Sequence, residues 1–388
     1  MVGLPFAPSR NPLALCIAMF ICALALVILA HNAGATDVTG DITVDAFWAP
    51  SGNPYMIRSD VTIKSGATLN IEPGTEVKFA SVYGLLTEGT GKIAARGATD
   101  KVILFTSGRT SPKINDWNKL MTGVSGFLLN CTIMYCQIGV QLQENAIVAD
   151  CNISAATTGI NVLNAGGTLV LRCNVSSTST AGIALDNAEA GRVTDCIVNG
   201  FSEGITLTGS TTGCTITHCT ATSFTKEGIV LRTTGVGNRI SECVVGASKK
   251  GLSILQPTLG TALGDVIVSY CTFDAISDVG IELNVTPTNV IQVRRCIVSG
   301  TSRGILLSSA TNVQVTECTF KWNTLGARVE NCKDNNDFIW KNNIINCTSR
   351  ATSASGCVVN WDKDGKGNYW GGFAPGEGDE NGDGIWDA

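Results

Sequence analysis

The sequence predicts an all-β solenoid, a parallel β-helix of about thirteen coils with an internal cysteine ladder. Cysteine recurs at intervals of 20 to 28 residues through the middle of the chain. Apolar residues alternate with period two around each cysteine, and no stretch has the 3.6-residue period of a helix. Repeats of this length cannot bury an apolar face alone, so they are typical of coils that stack. The nine recurring cysteines are Cys131, Cys151, Cys173, Cys196, Cys219, Cys243, Cys271, Cys296 and Cys318.

Each repeat contains three short segments that resemble strands. An apolar residue stands three positions before each cysteine, and another stands two positions after it. Eight or nine residues after the cysteine comes a glycine followed by an apolar pair, as in GITL at 204 and GIEL at 280. Gly, Ser, Thr and Asn separate the segments, as expected between strands. After Cys318, the pattern predicts that Asn343 takes the place of the next cysteine, with Trp340 three positions before it.

A leucine-rich repeat is the competing fold, because the phrase VQVTECTF at 313 also fits its consensus. The second strand phrase in each repeat favours the β-helix, since a leucine-rich repeat has one strand and a helix-like return per unit. Residues 42–127 alternate in the same way without the cysteine and are predicted to form the N-terminal coils. Residues 128–370 are predicted to form the cysteine-ladder repeats, and 371–388 an acidic, glycine-rich tail.

Three phrases resemble known proteins. GATLNIEPGTEVKF at 66–79 looks like the N-terminal coil of exported right-handed parallel β-helix proteins of the pectin-lyase-like superfamily. NYWGG at 368 and DENGDGIWD at 379 look like the end of NosD-type β-helix repeats. The resemblance implies a right-handed parallel β-helix, an architecture that hosts lyases, hydrolases, epimerases, adhesins and inert scaffolds. It is therefore specific for fold and unspecific for activity.

Residues 1–35 are predicted to be an export signal. Arg10 precedes an uncharged run from Pro12 to Ala30, and Ala33-Gly34-Ala35 forms a small-x-small cleavage pattern. A retained membrane anchor is the alternative, because the run is long for a signal. Charged residues make up 15% of the chain and no basic patch is present, so nucleic acid is not an expected partner. We expect a secreted, periplasmic or cell-surface protein with no membrane span after signal removal.

The stacked cysteines have three interpretations. Equivalent residues on neighbouring coils lie about 4.8 Å apart, so the nine cysteines form a column. Cysteine is small and often buried, which favours packing in a narrow corner of the core. The spacing also permits disulfides in an exported protein. Binding of a soft metal by the thiols is the third interpretation, suggested by the resemblance to NosD-type proteins, which are associated with copper delivery.

The residues immediately before the cysteines form a second column, and most of them can ionise or hydrogen-bond. Stacking would place His218 beside Glu242, Glu242 beside Tyr270, and Tyr270 beside Arg295. A polyuronate lyase or epimerase needs a base, a cation for the carboxylate and a second proton carrier, and this column contains those residue types. The column is predicted to comprise Asp150, Arg172, Asp195, His218, Glu242, Tyr270, Arg295, Glu317 and Asn342.

A structural role for this column is the alternative, because its charges alternate and would form an exposed ion-pair ladder. The signatures of related enzymes are also missing. Polygalacturonase-like enzymes carry paired aspartates and Gly-His-Gly, and mannuronan-epimerase-like enzymes carry Tyr-Gly-x-Asp-x-x-His; none of these phrases occurs. No catalytic residue is therefore assigned, and His218, Glu242, Tyr270 and Arg295 remain candidates.

The C-terminal tail contains a motif for calcium. Asp379, Asn381, Asp383 and Asp387 offer oxygen ligands at positions 1, 3, 5 and 9 of a calcium loop, and Ile385 offers a backbone carbonyl at position 7. The bidentate glutamate of a full EF-hand loop is missing, which resembles the shorter loops of dockerin-like repeats. A solvated acidic tail without metal is the alternative.

The sequence favours an exported, non-catalytic β-helix protein of the cell envelope or extracellular space that binds glycans or other surface molecules. A polysaccharide lyase or epimerase that acts on acidic polysaccharide is the first alternative. The second is a NosD-type accessory factor for assembly of periplasmic metal centres, against which the single histidine left after signal removal, His218, argues.

Overall fold

The computed structural model describes residues 34–176, 179–257, 263–287, 289–333 and 336–371. These residues form a prism of three parallel sheets, called here sheets A, B and C, and the chain visits them in the order B, C, A in each coil. Sheet A has fifteen strands and sheets B and C have thirteen each, so the predicted solenoid of three strands per coil is confirmed.

Sheet A lies after the cysteine column. Its strands are Thr36–Val38, Tyr55–Ile57, Glu76–Phe79, Ile103–Ser107, Cys131–Met134, Asn152–Ser154, Asn174–Ser176, Ile197–Asn199, Thr220–Thr222, Val244–Gly246, Thr272–Asp274, Ile297–Ser299, Thr319–Lys321, Asn343–Ile345 and Tyr369–Trp370.

Sheet B contains the Gly-Ile-x-Leu phrases. Its strands are Val61–Ile63, Leu85–Thr87, Trp117–Met121, Cys136–Leu142, Thr158–Leu163, Ala181–Asp186, Glu203–Gly209, Glu227–Thr233, Lys250–Leu255, Val279–Asn284, Arg303–Ser308, Leu325–Glu330 and Ser349–Ser353.

Sheet C lies before the cysteine column. Its strands are Ala46–Trp48, Thr68–Ile71, Lys92–Arg96, Phe127–Leu129, Ile147–Ala149, Leu169–Leu171, Arg192–Thr194, Thr215–Thr217, Asn238–Ser241, Val266–Ser269, Ile291–Arg294, Val313–Thr316 and Phe338–Trp340. Pro50–Gly52 forms a short 3₁₀ turn, and no helix in the described ranges is long and apolar enough to cross a membrane.

The recurring glycine of sheet B makes room for the core at the corner where sheet A turns into sheet B. A Cβ atom on Gly182 would lie 2.1 Å from Cγ1 of Val198, and a Cβ on Gly228 would lie 2.2 Å from Cγ1 of Val245. Both valines are fully buried and belong to sheet A. The glycine is therefore required by close packing rather than by backbone conformation.

The cysteine column packs in the corner between sheets C and A. The described part of the chain holds fourteen cysteines, and the structure shows each of them as a free thiol. Each ladder thiol donates to backbone carbonyls; Sγ of Cys219 lies 3.3 Å from the oxygen of Thr217 and 3.7 Å from that of Val193 one coil away. The ladder thus fills the corner and satisfies backbone acceptors at the bend.

The predicted end of the ladder was wrong by one residue. Val315 pairs with Ile339 and Thr319 pairs with Asn343, so Asn342 occupies the position after Cys318. Asn342 is fully buried and continues the column to Asn368, whose side chain accepts from it at 3.0 Å. Two consecutive asparagines made the register ambiguous, and a one-residue slip turns every side chain of a strand to the other face.

Candidate functional site

The residue before each ladder position stands at the bend between sheets C and A and has a left-handed backbone with φ from 49° to 57°. This conformation turns the side chain away from the core. Because of the register correction, Lys341 and not Asn342 ends this row, which we call the bend column. Its members are Asn130, Asp150, Arg172, Asp195, His218, Glu242, Tyr270, Arg295, Glu317 and Lys341.

The bend column forms ion pairs in its first part. Nε and Nη2 of Arg172 each donate to Asp150 at 2.7 Å, and the guanidinium holds the pKa of that carboxyl below its ordinary value. His218 Nε2 lies 2.8 Å from Glu242 Oε2, and His218 Nδ1 lies 4.0 Å from Asp195 Oδ1. The His218, Asp195 and Glu242 side chains are each 52 to 53% exposed, so water reaches this group from outside.

The other two candidates, Tyr270 and Arg295, belong to a second group of contacts in the bend column. The Arg295 guanidinium contacts the Tyr270 hydroxyl, lies 5.5 Å from the centre of its ring, and donates to Glu317 Oε2 at 2.5 Å. The structure therefore brings His218 to Glu242 and Tyr270 to Arg295, as the sequence predicts. All four candidates lie in an open, exposed row, which fits the ion-pair ladder better than a water-excluded reaction site.

Beside the second group, a groove crosses the outer face of sheet C. Its volume is about 210 Å³, and Arg295 and Glu317 form one wall. Gln292 and Gln314 align on neighbouring strands and present two amides, while Trp340 closes the end. We call this cavity the sheet C groove; Arg294 and Thr316 complete its lining.

The groove combines an aromatic wall with hydrogen-bonding groups. Phe338 packs edge-on against Trp340 with ring centres 6.0 Å apart, and Nζ of Lys363 lies 5.1 Å from the centre of each ring. These contacts fix the indole. Within the described residues, the Arg294 guanidinium forms no ion pair. The groove can therefore offer an apolar surface, two amides and a free cation to one ligand.

The sequence reasoning missed this groove because it placed Trp340 three positions before a ladder residue, where the side chain would point into the core. In the observed register, Ile339 takes the inward position and Trp340 lies outside. The signal was present in the strand Phe338–Trp340, whose alternation puts Ile339 on one face and both aromatic residues on the other.

Sheet B presents a different outer face, covered by charged side chains. Arg232 reaches back to Glu203 at 3.2 Å and lies 3.9 Å from Glu227, while Lys250 pairs with Glu282 at 2.5 Å. Glu227 is 8% exposed, and its Oε2 atom has no hydrogen-bond partner in the described structure. These ion pairs occupy the middle of the outer face of sheet B.

Two of the predicted segments lie outside the described residues. They are the export signal up to residue 33, and the calcium motif of Asp379, Asn381, Asp383, Ile385 and Asp387. In the described ranges, no group of three or more His, Cys, Asp or Glu side chains is arranged to hold a metal ion. Burial raises the pKa of the Cys136 thiol to about 12, which keeps it protonated at neutral pH.

The family comparisons agree with the fold. Residues 120–245 match the model of the right handed beta helix region, and residues 40–126 match that of the pectate-lyase like beta helix domain. These matches agree with the structure, and the fold is a right-handed parallel β-helix whose N-terminal coils resemble the pectate-lyase-like domain.

Individual proteins of known name or structure share only low sequence identity or a short aligned segment with this chain. Protein bark beetle of Drosophila melanogaster is 33% identical over 72 residues, which is 19% of this chain and 2% of that protein. The catalytic domain of a GH87 α-1,3-glucanase in complex with nigerose superposes with a TM-score of 0.55 at 10% identity, covering 95% of this chain and 71% of that chain. The Agl-KA catalytic domain gives 0.56 at 14% identity, covering 76% and 63%. These likenesses show the fold alone.

Proposed function

We propose that this chain is an exported, non-catalytic β-helix protein that binds glycan chains in the sheet C groove. The observation that carries the proposal is the position of Trp340 beside two aligned glutamines and Arg294, which forms no ion pair with any described residue. Sugar rings have an apolar face and a rim of hydroxyls. An indole packs against such a face, while amides and a guanidinium hydrogen-bond to the rim.

Two further observations support binding without reaction. The candidate residues of the bend column are about half exposed and already paired with one another. They are therefore poorly placed to act as general acid or base in a site that excludes water. The α-1,3-glucanase domain of similar fold was solved in complex with nigerose, which supports a β-helix of this kind as a carbohydrate scaffold. Export is supported by the signal-like sequence of residues 1–35, with its long uncharged run and small-x-small cleavage pattern.

We expect Trp340→Ala to weaken glycan binding at least tenfold, because the mutation removes the aromatic wall and each tenfold step corresponds to about 1.4 kcal/mol. Titration calorimetry with α-1,3-glucan and oligouronate oligomers would measure the change. Trp340→Phe should keep most of the affinity. Phe47→Ala is the matched control, since Phe47 is an aromatic residue on sheet C that is 70% exposed at the other end of the solenoid. Unchanged affinity together with unchanged stoichiometry in Trp340→Ala would contradict the proposal.

The alternative function, a polysaccharide lyase or epimerase, makes a separate prediction. His218→Ala and Tyr270→Phe should each change the free energy of unfolding by less than about 1 kcal/mol, because exposed ion pairs contribute little. Neither variant should alter product size or unsaturated ends after incubation with acidic polysaccharides. A reaction by the wild type that both variants lose would establish the column as catalytic and remove the non-catalytic assignment.

We also propose that the tail binds calcium through Asp379, Asn381, Asp383, Ile385 and Asp387. Truncation after Gly376 should abolish calcium binding in a titration and leave the circular dichroism of the coils unchanged. Asp383→Ala in the full chain should weaken binding in the same direction. Equal calcium affinity of the full and truncated chains would place any calcium site elsewhere.

A further inference from the structure

A second groove lies along the bend that follows the sheet A strands, where each coil turns from sheet A into sheet B. Its volume is about 600 Å³. Ala247 and Ala275 form the floor, Phe224 forms part of the wall, and Lys249 and Asp278 stand at the rim. We call it the sheet A–B groove. It is separated from the sheet C groove by the width of sheet A, which is about 10 to 13 Å for strands of this length.

The floor is open because successive residues at this bend have small side chains and left-handed backbones. The row runs through Ser223, Ala247, Ala275 and Gly300, with φ of 66°, 46°, 52° and 65°. A Cβ atom on Gly300 would have no neighbour closer than 3.8 Å, so the floor continues one coil beyond the alanines. The backbone bonds Ser223 N to Gly246 O and Gly300 N to Lys321 O fix these positions as successive rungs.

The next rung breaks this pattern with the largest side chain available. Trp322 has φ of 56° and is 61% exposed, and Nζ of Lys321 lies 4.5 Å from the centre of its ring. The four preceding rungs of this row carry small side chains, and an exposed indole adds no core packing. An exposed aromatic side chain one rung beyond an open floor offers a flat apolar surface to a ligand that lies along the row.

The rim of the groove carries polar groups that suit the same kind of ligand. Lys249 forms no ion pair within the described residues and leaves its ammonium group free to donate. Asp278 is held in place by Arg303. The groove is lined as far as Ala275 and Asp278. The bend row continues past it through Gly300 to Trp322, so that Ala247 and Trp322 are separated by three inter-coil spacings, about 14 Å, with hydrogen-bonding groups at one end and an aromatic surface at the other.

We infer that the sheet A–B groove is a second binding site for a linear oligosaccharide. The chain of sugars would lie along the solenoid axis, with the apolar face of one ring on Trp322 and hydroxyls toward Lys249 and Asp278. This inference rests on the proposed glycan-binding function and deepens it. With one groove on each side of sheet A, a single molecule binds two glycan chains and bridges them.

The test compares Trp322→Gly, Trp340→Ala and the double variant for binding to immobilised α-1,3-glucan and polyuronate, and for aggregation of beads coated with the same polymers. We expect each single variant to lose about half of the binding sites and all bead aggregation, and the double variant to lose binding. Trp322→Phe should restore both properties. Glycine accepts positive φ, so Trp322→Gly should melt at or above the wild-type temperature, which separates lost binding from lost folding.

The outcomes for the two grooves are distinguishable. Wild-type stoichiometry and aggregation in Trp322→Gly would overturn the second site and leave the sheet C groove standing. If Trp322→Gly loses binding and Trp340→Ala keeps wild-type binding, the result would support the second site and contradict the sheet C groove. A lower melting temperature of Trp322→Gly, with wild-type binding in the remaining folded protein, would also overturn the inference, because Trp322 would then serve the fold.

Discussion

Asn342→Leu should destabilise the C-terminal coils by about 2 to 4 kcal/mol, because it leaves buried backbone groups without hydrogen-bond partners. Oδ1 of Asn342 accepts from the backbone N–H of Cys318 at 2.9 Å, and Nδ2 donates to the carbonyl of Val315 at 3.0 Å. Asn342 is fully buried, so water cannot replace these bonds. Leucine has a similar size and no polar atoms, which limits the effect to hydrogen bonding. Equilibrium denaturation would measure the loss in free energy of unfolding.

Asn342→Cys is the matched control for this prediction. At the previous rung, the Cys318 thiol already has both roles: Sγ accepts from the N–H of Cys296 at 3.4 Å and donates to the carbonyl of Val293 at 3.7 Å. A cysteine at 342 should therefore cost about 1 kcal/mol, since its bonds are weaker but present. Hydrogen exchange should show faster opening near residues 318–345 in the leucine variant and little change near 174–199. Equal destabilisation by leucine and cysteine would show that volume matters more than polarity at this corner.

The fold was predictable because each coil repeats the same physical requirement. The inward positions recur in every coil. Cys219 and its equivalents mark the corner between sheets C and A, and Gly228 and its equivalents mark the corner between sheets A and B. Parallel stacking then fixes every neighbour along the axis. The same logic correctly placed His218 beside Glu242 and Tyr270 beside Arg295.

The grooves were harder to predict because they depend on outward residues, which follow no repeat. One slip at Asn342 was enough to turn Trp340 from the surface to the core in the prediction. Trp322 stands at a left-handed position that the sequence pattern alone did not identify. Outward side chains on three sheets form a site only once the coils are stacked, so sequence alone names the fold before it names the binding surface.

Gly228→Ala is expected to reduce the free energy of unfolding by about 1 to 3 kcal/mol, because the added methyl group overpacks the corner between sheets A and B. Its Cβ would lie 2.2 Å from Cγ1 of Val245, far inside van der Waals contact, and 3.0 Å from the carbonyl oxygen of Gly251. The backbone of Gly228 is not in the left-handed region, so the effect isolates packing from conformational strain.

Val245→Ala provides the test of this mechanism. Alone it should destabilise the protein by leaving a cavity at a fully buried position. Combined with Gly228→Ala, it should recover part of the loss, with a favourable coupling of about 0.5 to 3 kcal/mol in a double-mutant cycle. Gly246→Ala is the control. The nearest atom to a Cβ at position 246 would be Asp274 O at 3.3 Å, so this substitution should change the free energy of unfolding much less than Gly228→Ala. Strictly additive losses in the cycle would mean that Val245 is not what excludes a side chain at position 228, and the explanation of the recurring glycine would fail.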